Sequence, residues 1–178
     1  NGNVIPVGPI NMQALSNAVG ISYTTKVGKD SLRLTLVAAV PVTRFTLNTE
    51  SRPEANFDRF GLSDIYLQPA RLGWRGSRFD LLTSYGLYLP TGTFLLVGGK
   101  SVSSGQVTHQ FSAGGSIYVD QERKFFLTAL GSYDLNLRKR NLDLTRGDTF
   151  SLQGGAGVSS YRGGFGAGWG GYAPWPVW

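Results

Sequence analysis

Residues 106–119 read QVTHQFSAGGSIYV. The odd positions are Val107, His109, Phe111, Ala113, Gly115, Ile117 and Val119, and the even ones are Gln106, Thr108, Gln110, Ser112, Gly114, Ser116 and Tyr118. The first set is mostly apolar and the second polar or small. Successive side chains of a strand point to opposite faces, so a period of two predicts a strand with two unlike sides. The next segment repeats the pattern. Phe125, Leu127, Ala129, Gly131, Tyr133 and Leu135 share one face, opposite Phe126, Thr128, Leu130, Ser132 and Asp134.

The same rule extends outward in both directions. Leu32 to Val42, Arg78 to Leu89, Thr149 to Ser159 and Gly164 to Trp169 all alternate. Residues 12–25 and 61–74 are less regular, and Pro69 in the second predicts a bulge or an edge position, because proline cannot donate to a ladder. These segments make about eight strand candidates and no helix. Several run to ten residues or more. Strands of soluble sheets favour about five or six residues, whereas a tilted strand crossing a bilayer needs about 9–11.

Composition narrows the classes. The chain has 178 residues, with 25 Gly, 8 Pro, no Cys, one Met and one His. Lack of cysteine excludes a disulfide scaffold. Aromatic residues at 12% and hydrophobic residues at 41% exclude a disordered chain. Abundant Gly with only 16% charged residues disfavours a helical bundle. The longest uncharged run, Leu81 to Gly99, is long enough for a membrane helix, but Pro90-Thr91-Gly92 interrupts it with turn chemistry. No basic stretch followed by an apolar run marks a secretory signal.

Connections alternate in length along the chain. Short ones fall at 26–30, 75–77, 120–124 and 162–163, and long ones at 43–60, 90–105 and 136–148. Outer-membrane barrels sort short turns to the periplasmic end and long loops to the outer end. The expected fold is therefore all-β: an antiparallel transmembrane barrel forming one domain over residues 1–178. By the same count both termini fall at the long-loop end. At least one further strand is then expected before Asn1 and after Trp178, in a barrel of roughly 12 strands.

Residues 61–92, GLSDIYLQPARLGWRGSRFDLLTSYGLYLPTG, carry a family resemblance. Gly61-Leu62-x-Asp64, Pro69, Leu72-Gly73-Trp74 and Leu89-Pro90-Thr91-Gly92 resemble the outer-membrane barrel proteins named for the meta pathway of phenol degradation, often called transporters. Arg146-Gly147-Asp148, Gly168 and Gly171-Tyr172 continue the likeness. Members carry further strands before and after this region. Their segment after the Gly-Tyr pair is a polar, strand-compatible run, where this chain has Pro174-Trp175-Pro176-Val177-Trp178. The resemblance implies an outer-membrane channel for hydrophobic or aromatic compounds in a Gram-negative bacterium.

Chemistry-bearing residues are sparse. His109, the single histidine, lies on an apolar face near a loop, without a nucleophilic partner in sight. One His and no Cys exclude zinc. Glu50, Glu54 and Asp58 could approach a calcium ion, but their spacing fits no EF-hand. Gly154-Gly155-x-Gly157 and Gly163-Gly164-x-Gly166-x-Gly168 look like phosphate loops, yet no helix follows. They read as glycines where a barrel bends. Net charge is +6, but the basic residues are dispersed apart from Arg138-Lys139-Arg140, so no nucleic-acid stripe forms.

Alternation and the cost of a charge facing lipid put Arg33, Arg78, Asp80 and Asp134 in a lumen. A salt bridge between Arg78 and Asp80 near the short-turn end is an equal reading. The solute-contacting set is Arg78, Asp80, Ser84, Tyr88, Gln106, Gln110, Tyr118 and Asp134. Tyr23, Tyr66, Trp74, Tyr85, Tyr133 and Trp169 are candidates for girdles at two membrane interfaces. The sequence thus predicts passive uptake of small hydrophobic or aromatic solutes, with a lipid bilayer and the solute as partners. No enzyme chemistry, cofactor or nucleic acid is expected, and oligomerisation is left open. Two alternatives stand beside it. One is a soluble or periplasmic barrel that carries an apolar ligand on an apolar inward face. The other is a structural protein that assembles through open strand edges.

Overall fold

A computed structural model describes residues 10–28, 32–49, 56–92, 102–139, 146–160 and 165–177. They form nine strands and no helix: β1 (Ile10–Lys26), β2 (Leu32–Thr49), β3 (Phe57–Leu62), β4 (Ile65–Arg75), β5 (Phe79–Leu89), β6 (Thr108–Tyr118), β7 (Phe125–Asn136), β8 (Asp148–Ser160) and β9 (Phe165–Val177). All pairings are antiparallel, in the order β1-β2-β4-β5-β6-β7-β8-β9, and β3 pairs β2 beside that path. The sheet curls into a half-barrel. β1 and β9 are its two edges and are not bonded to each other. The run Leu81–Leu89 belongs to strand β5, and no helix among the described residues is long and apolar enough to cross a membrane.

Two findings correct the sequence reading. Residues 43–60 are not one long connection: β2 runs on to Thr49 and β3 begins at Phe57. The strand from 106 to 119 is shorter, covering 108–118. The cause of the first lies at Pro41. In a strand the N–H and C=O of one residue face the same neighbour. The Pro41 carbonyl accepts from Ser63 N at 2.9 Å, so its missing N–H faces the same edge. The ladder on that edge breaks at Ser63-Asp64, with β3 lying along residues 42–47 of β2 and β4 along 32–39.

The bulge expected at Pro69 is present. Leu67 pairs Leu87 and Ala70 pairs Tyr85, so one extra residue is inserted in β4. The insertion returns Ala70, Leu72 and Trp74 to the apolar side. Arg71 and Arg75 therefore fall on the polar side with Ser84 and Asp80.

Burial is inverted relative to an ordinary core. Among the described residues no hydrophobic side chain is buried, whereas Gln68, Thr108, Ser112, Ser132, Asn136 and Ser151 are. The polar face is thus the enclosed one. The opposite face exposes Leu81, Phe111, Ile117, Leu127, Leu152 and Trp169, whose exposures reach 80%. A carrier of an apolar ligand would have shown the reverse arrangement.

On the exposed face the registers align side chains into lateral rows. Tyr85, Phe111, Tyr133, Phe150 and Trp175 stand opposite one another across five strands, with ring centroids 5.2 Å apart for Tyr85–Phe111 and 6.0 Å for Phe150–Trp175. About 20 Å away, at 3.3 Å per residue, Phe79, Ile117, Leu127, Ala156 and Trp169 make a second row. Between them lie small residues: Gly115, Ala129, Gly154 and Gly171.

Candidate functional site

The enclosed polar face is the candidate site. Its central row is nearly all hydroxyl: Thr24, Thr35, Arg71, Ser84, Ser112, Ser132 and Ser151 are successive register partners. Thr24 and Thr35 hydroxyls lie 2.9 Å apart, as do those of Ser112 and Ser132. A cross-strand hydroxyl pair satisfies both groups without charge, which keeps a wet surface neutral.

Toward the long-connection end a network of side chains spans four strands. Tyr66 Oη donates to Gln110 Oε1 at 3.2 Å and accepts from Gln68 Nε2 at 2.9 Å. Gln110 Nε2 donates to Asp134 Oδ1 at 3.0 Å. Tyr88 packs against Tyr66, with centroids 4.7 Å apart. Gly86 makes room for this: a Cβ there would stand 2.6 Å from Tyr66 Oη. Two phenol rings, two amides and one carboxylate thus face the same space.

Beyond them, residues 102–107 fold back across the end of the face. Ser104 N and Oγ donate to Asp64 Oδ2 at 2.8 and 2.6 Å, and Ser63 Oγ donates to the Val102 carbonyl at 3.0 Å. At the other end of this segment Gln106 Nε2 donates to Asn136 Oδ1 at 2.9 Å. The segment therefore reaches from the start of β4 to the end of β7. Gln106, only 2% exposed, anchors this fold rather than projecting from a strand.

The short-turn end carries a third cluster. Arg123 lies in the left-handed region, with φ of 59°. Its guanidinium pairs with Asp80, donates to the Gly76 carbonyl at 3.1 Å and sits 4.0 Å above the Tyr118 ring. Tyr118 Oη also donates to Asp80 Oδ2, at 2.8 Å. These contacts hold a backbone conformation that a non-glycine residue otherwise avoids, and they tie the turn after β6 to the turn after β4. Arg123 pairing with Asp80 raises the guanidinium's affinity for its proton.

The sequence-predicted residues separate accordingly. Gln110, Tyr88 and Asp134 meet in the tyrosine network, Ser84 stands in the hydroxyl row, and Asp80 and Tyr118 join the Arg123 cluster. Arg78 lies in the exposed turn before β5, where its carbonyl accepts from Tyr118 N at 2.8 Å. Asp80 has Arg123, not Arg78, as its ionic partner. Sequence reasoning assigned Tyr66 to a girdle and missed Gln68, Arg71, Arg75 and Arg123. Tyr66, Gln68, Arg71 and Arg75 lie on the strand whose parity Pro69 switches, and Arg123 lies in a turn that carries no periodicity.

Other candidates resolve simply. His109 Nδ1 bonds Tyr85 Oη at 2.8 Å on the apolar face. Asp58 is held by Arg44 at 2.5 Å, and Glu50 and Glu54 lie outside the described residues. No group of three potential metal ligands occurs among the described residues. Gly154, Gly155 and Gly157 are ladder residues of β8, and Gly166 and Gly168 of β9, while Gly163 and Gly164 lie outside the described residues. Arg138 and Lys139 follow β7, and Arg140 also lies outside. Of the expected girdle residues, Tyr66 is the exception, because it faces the polar side.

A family model described as "Putative MetA-pathway of phenol degradation" matches residues 1–175. The chain belongs to this family. A search of curated proteins and a search of solved structures each found no match. For this member of the phenol-degradation family, the exposed apolar belt and the enclosed polar face are the features that any function has to use.

Proposed function

We propose that the protein is an outer-membrane channel for passive passage of small hydrophobic or aromatic solutes. One observation carries the reading: polar side chains are buried and large apolar ones are exposed on the same sheet. In water such a sheet would leave its greasy face unsheltered, and patches of that size mark an interaction surface. Lipid is the environment that suits it, since a barrel strand in a membrane turns its apolar face outward. Two aromatic-rich rows with small residues between them match the interfacial girdles of such barrels.

The polar segments beyond the rim fit the same picture. β4 to β7 end level with Ala39, Tyr66, Tyr88, Thr108 and Asn136, while β1 and β2 continue with β3 beside them. Past Pro41 the pattern inverts, and Arg44, Thr46 and Asp58 share the side that Val40 occupies below. An ion pair on that side belongs in water rather than in hydrocarbon. Within the enclosure, Tyr66 and Tyr88 offer ring faces to an aromatic solute, while Gln110 can donate and accept hydrogen bonds and the Asp134 carboxylate accepts them.

Flux into liposomes tests the proposal. The full chain, reconstituted with a dye-coupled sensor for benzyl alcohol or phenol inside, is expected to accelerate entry above protein-free vesicles. Entry no faster than in protein-free vesicles would overturn it.

A further inference from the structure

The polar face is not evenly charged. Arg71 and Arg75 stand four residues apart on β4, on the same side, with Gly73 between them. Arg33 of β2 is the register partner of Gly73. Diagonal neighbours on paired strands lie about 7–8 Å apart, so the three guanidinium stems form a triangle around a position with no side chain. Lys26 of β1 stands directly opposite Arg33. Like charges placed opposite each other are unfavourable. No carboxylate among the described residues pairs with Arg33, Arg71 or Arg75. Asp80, the register partner of Arg75, also lines the space beside them, and its carboxylate pairs with Arg123.

An apolar strip begins beside this triangle. Gly73 pairs Leu82, Leu82 pairs Gly114, and Gly114 pairs Leu130, all on the enclosed side. Leu130 leans over Gly114, its Cδ1 lying 3.0 Å from where a Cβ would stand. Arg33, Arg71, Arg75, Leu82 and Leu130 line one open groove of about 720 Å³. That volume is within the range of small-molecule sites, which combine apolar walls with a few convergent polar groups.

We infer that this groove is a binding site for an amphiphilic organic anion, an aromatic carboxylate. Its carboxylate sits among Arg33, Arg71 and Arg75, and its ring lies across Leu82 and Leu130. Planar guanidinium forks match a carboxylate in a way a single ammonium does not. The apolar strip distinguishes such a ligand from a bare inorganic anion. The inference rests on the channel reading for its physiological meaning, since it assigns the solutes a charge, but binding itself does not need flux.

Equilibrium dialysis of the detergent-solubilised full chain against protein-free micelles tests it, with benzoate, benzyl alcohol and inorganic phosphate as probes. Benzoate is expected to bind at least about tenfold more tightly than either other probe, and to weaken as salt rises. Arg71→Gln with Arg75→Gln should weaken benzoate about tenfold or more. Arg33→Gln alone should produce part of that loss, which covers the case of a double variant that does not fold. Lys124→Gln, which also removes one positive charge, should leave binding unchanged. Equal affinity for benzoate and benzyl alcohol, phosphate binding as tight as benzoate, or unchanged binding in both arginine variants would overturn the inference. Benzoate binding without liposome flux removes the channel reading and keeps the site, whereas flux without benzoate binding removes the site and keeps the channel.

Discussion

Asp120 shows how one side chain can set a turn. Its Oδ1 accepts from Phe125 N at 2.8 Å and its Oδ2 from Lys124 N at 3.0 Å. The Phe125 amide first, and the Lys124 amide second, hold its carboxyl below the usual carboxylate range. A depressed value in the folded state means that the bonds stabilise the turn at pH above the ordinary carboxylate value. That stabilisation fades as pH falls through the depressed value. Hydrogen-exchange protection of the Phe125 and Lys124 amides is therefore expected to drop on acidification. In Asp120→Asn the pH dependence should vanish. An unchanged acid response in that variant would show that another group governs the turn.

At the scale of elements, the segment 102–107 depends on Asp64. Two hydrogen bonds from Ser104 to one carboxylate oxygen are charge-assisted, and such bonds contribute about 1.5–3 kcal/mol each. Asp64→Ala should release the segment, seen as a fall of at least about tenfold in the protection factor of the Ser104 amide. The strands themselves should keep their protection. This element was invisible in the sequence, because Gln106 and Val107 continue the alternation of β6 and read as strand, and Asp64 carried only the family resemblance. β5 to β8 were legible, since each keeps one parity from end to end and needs one apolar face. β2 was legible as far as Val42, but its continuation to Thr49, β3 and the parity of β4 were not. Pro41 interrupts the ladder on one edge without changing parity, and Pro69 inserts a residue that shifts which side of the sheet the odd positions of β4 face. The arginines of β4 were lost with that shift, although Pro69 itself pointed to a bulge.

At the scale of the whole molecule, the assignment of faces makes a strong demand. Leu152 lies between the aromatic-rich rows on the exposed side, two residues from Phe150 and four from Ala156. On a lipid-facing midplane an arginine costs about 2–4 kcal/mol. Leu152→Arg is therefore expected to lower the urea midpoint of the protein folded into vesicles, by that cost divided by the slope of the transition. A protein whose Leu152 faces water would lose at most about 0.5 kcal/mol. Urea titration of both forms in vesicles separates the two cases. The fold class and the polar and apolar sides were readable at this scale from alternation, and the family from the motifs of residues 61–92. The arginine groove was not, because it needs the register between strands.

The order of the strands has a consequence for how the chain reaches this state. Apart from the step from β2 to β4, every strand on the main path pairs with its immediate neighbour in sequence. Even at that step the intervening β3 lies along the same strand. Closing short loops costs little chain entropy, and local pairings form faster than distant ones. The sheet can therefore grow by hairpin addition, each new strand finding a finished ladder beside it. A chain halted midway would hold a complete but narrower sheet, ready to accept the next strand without unpicking the last.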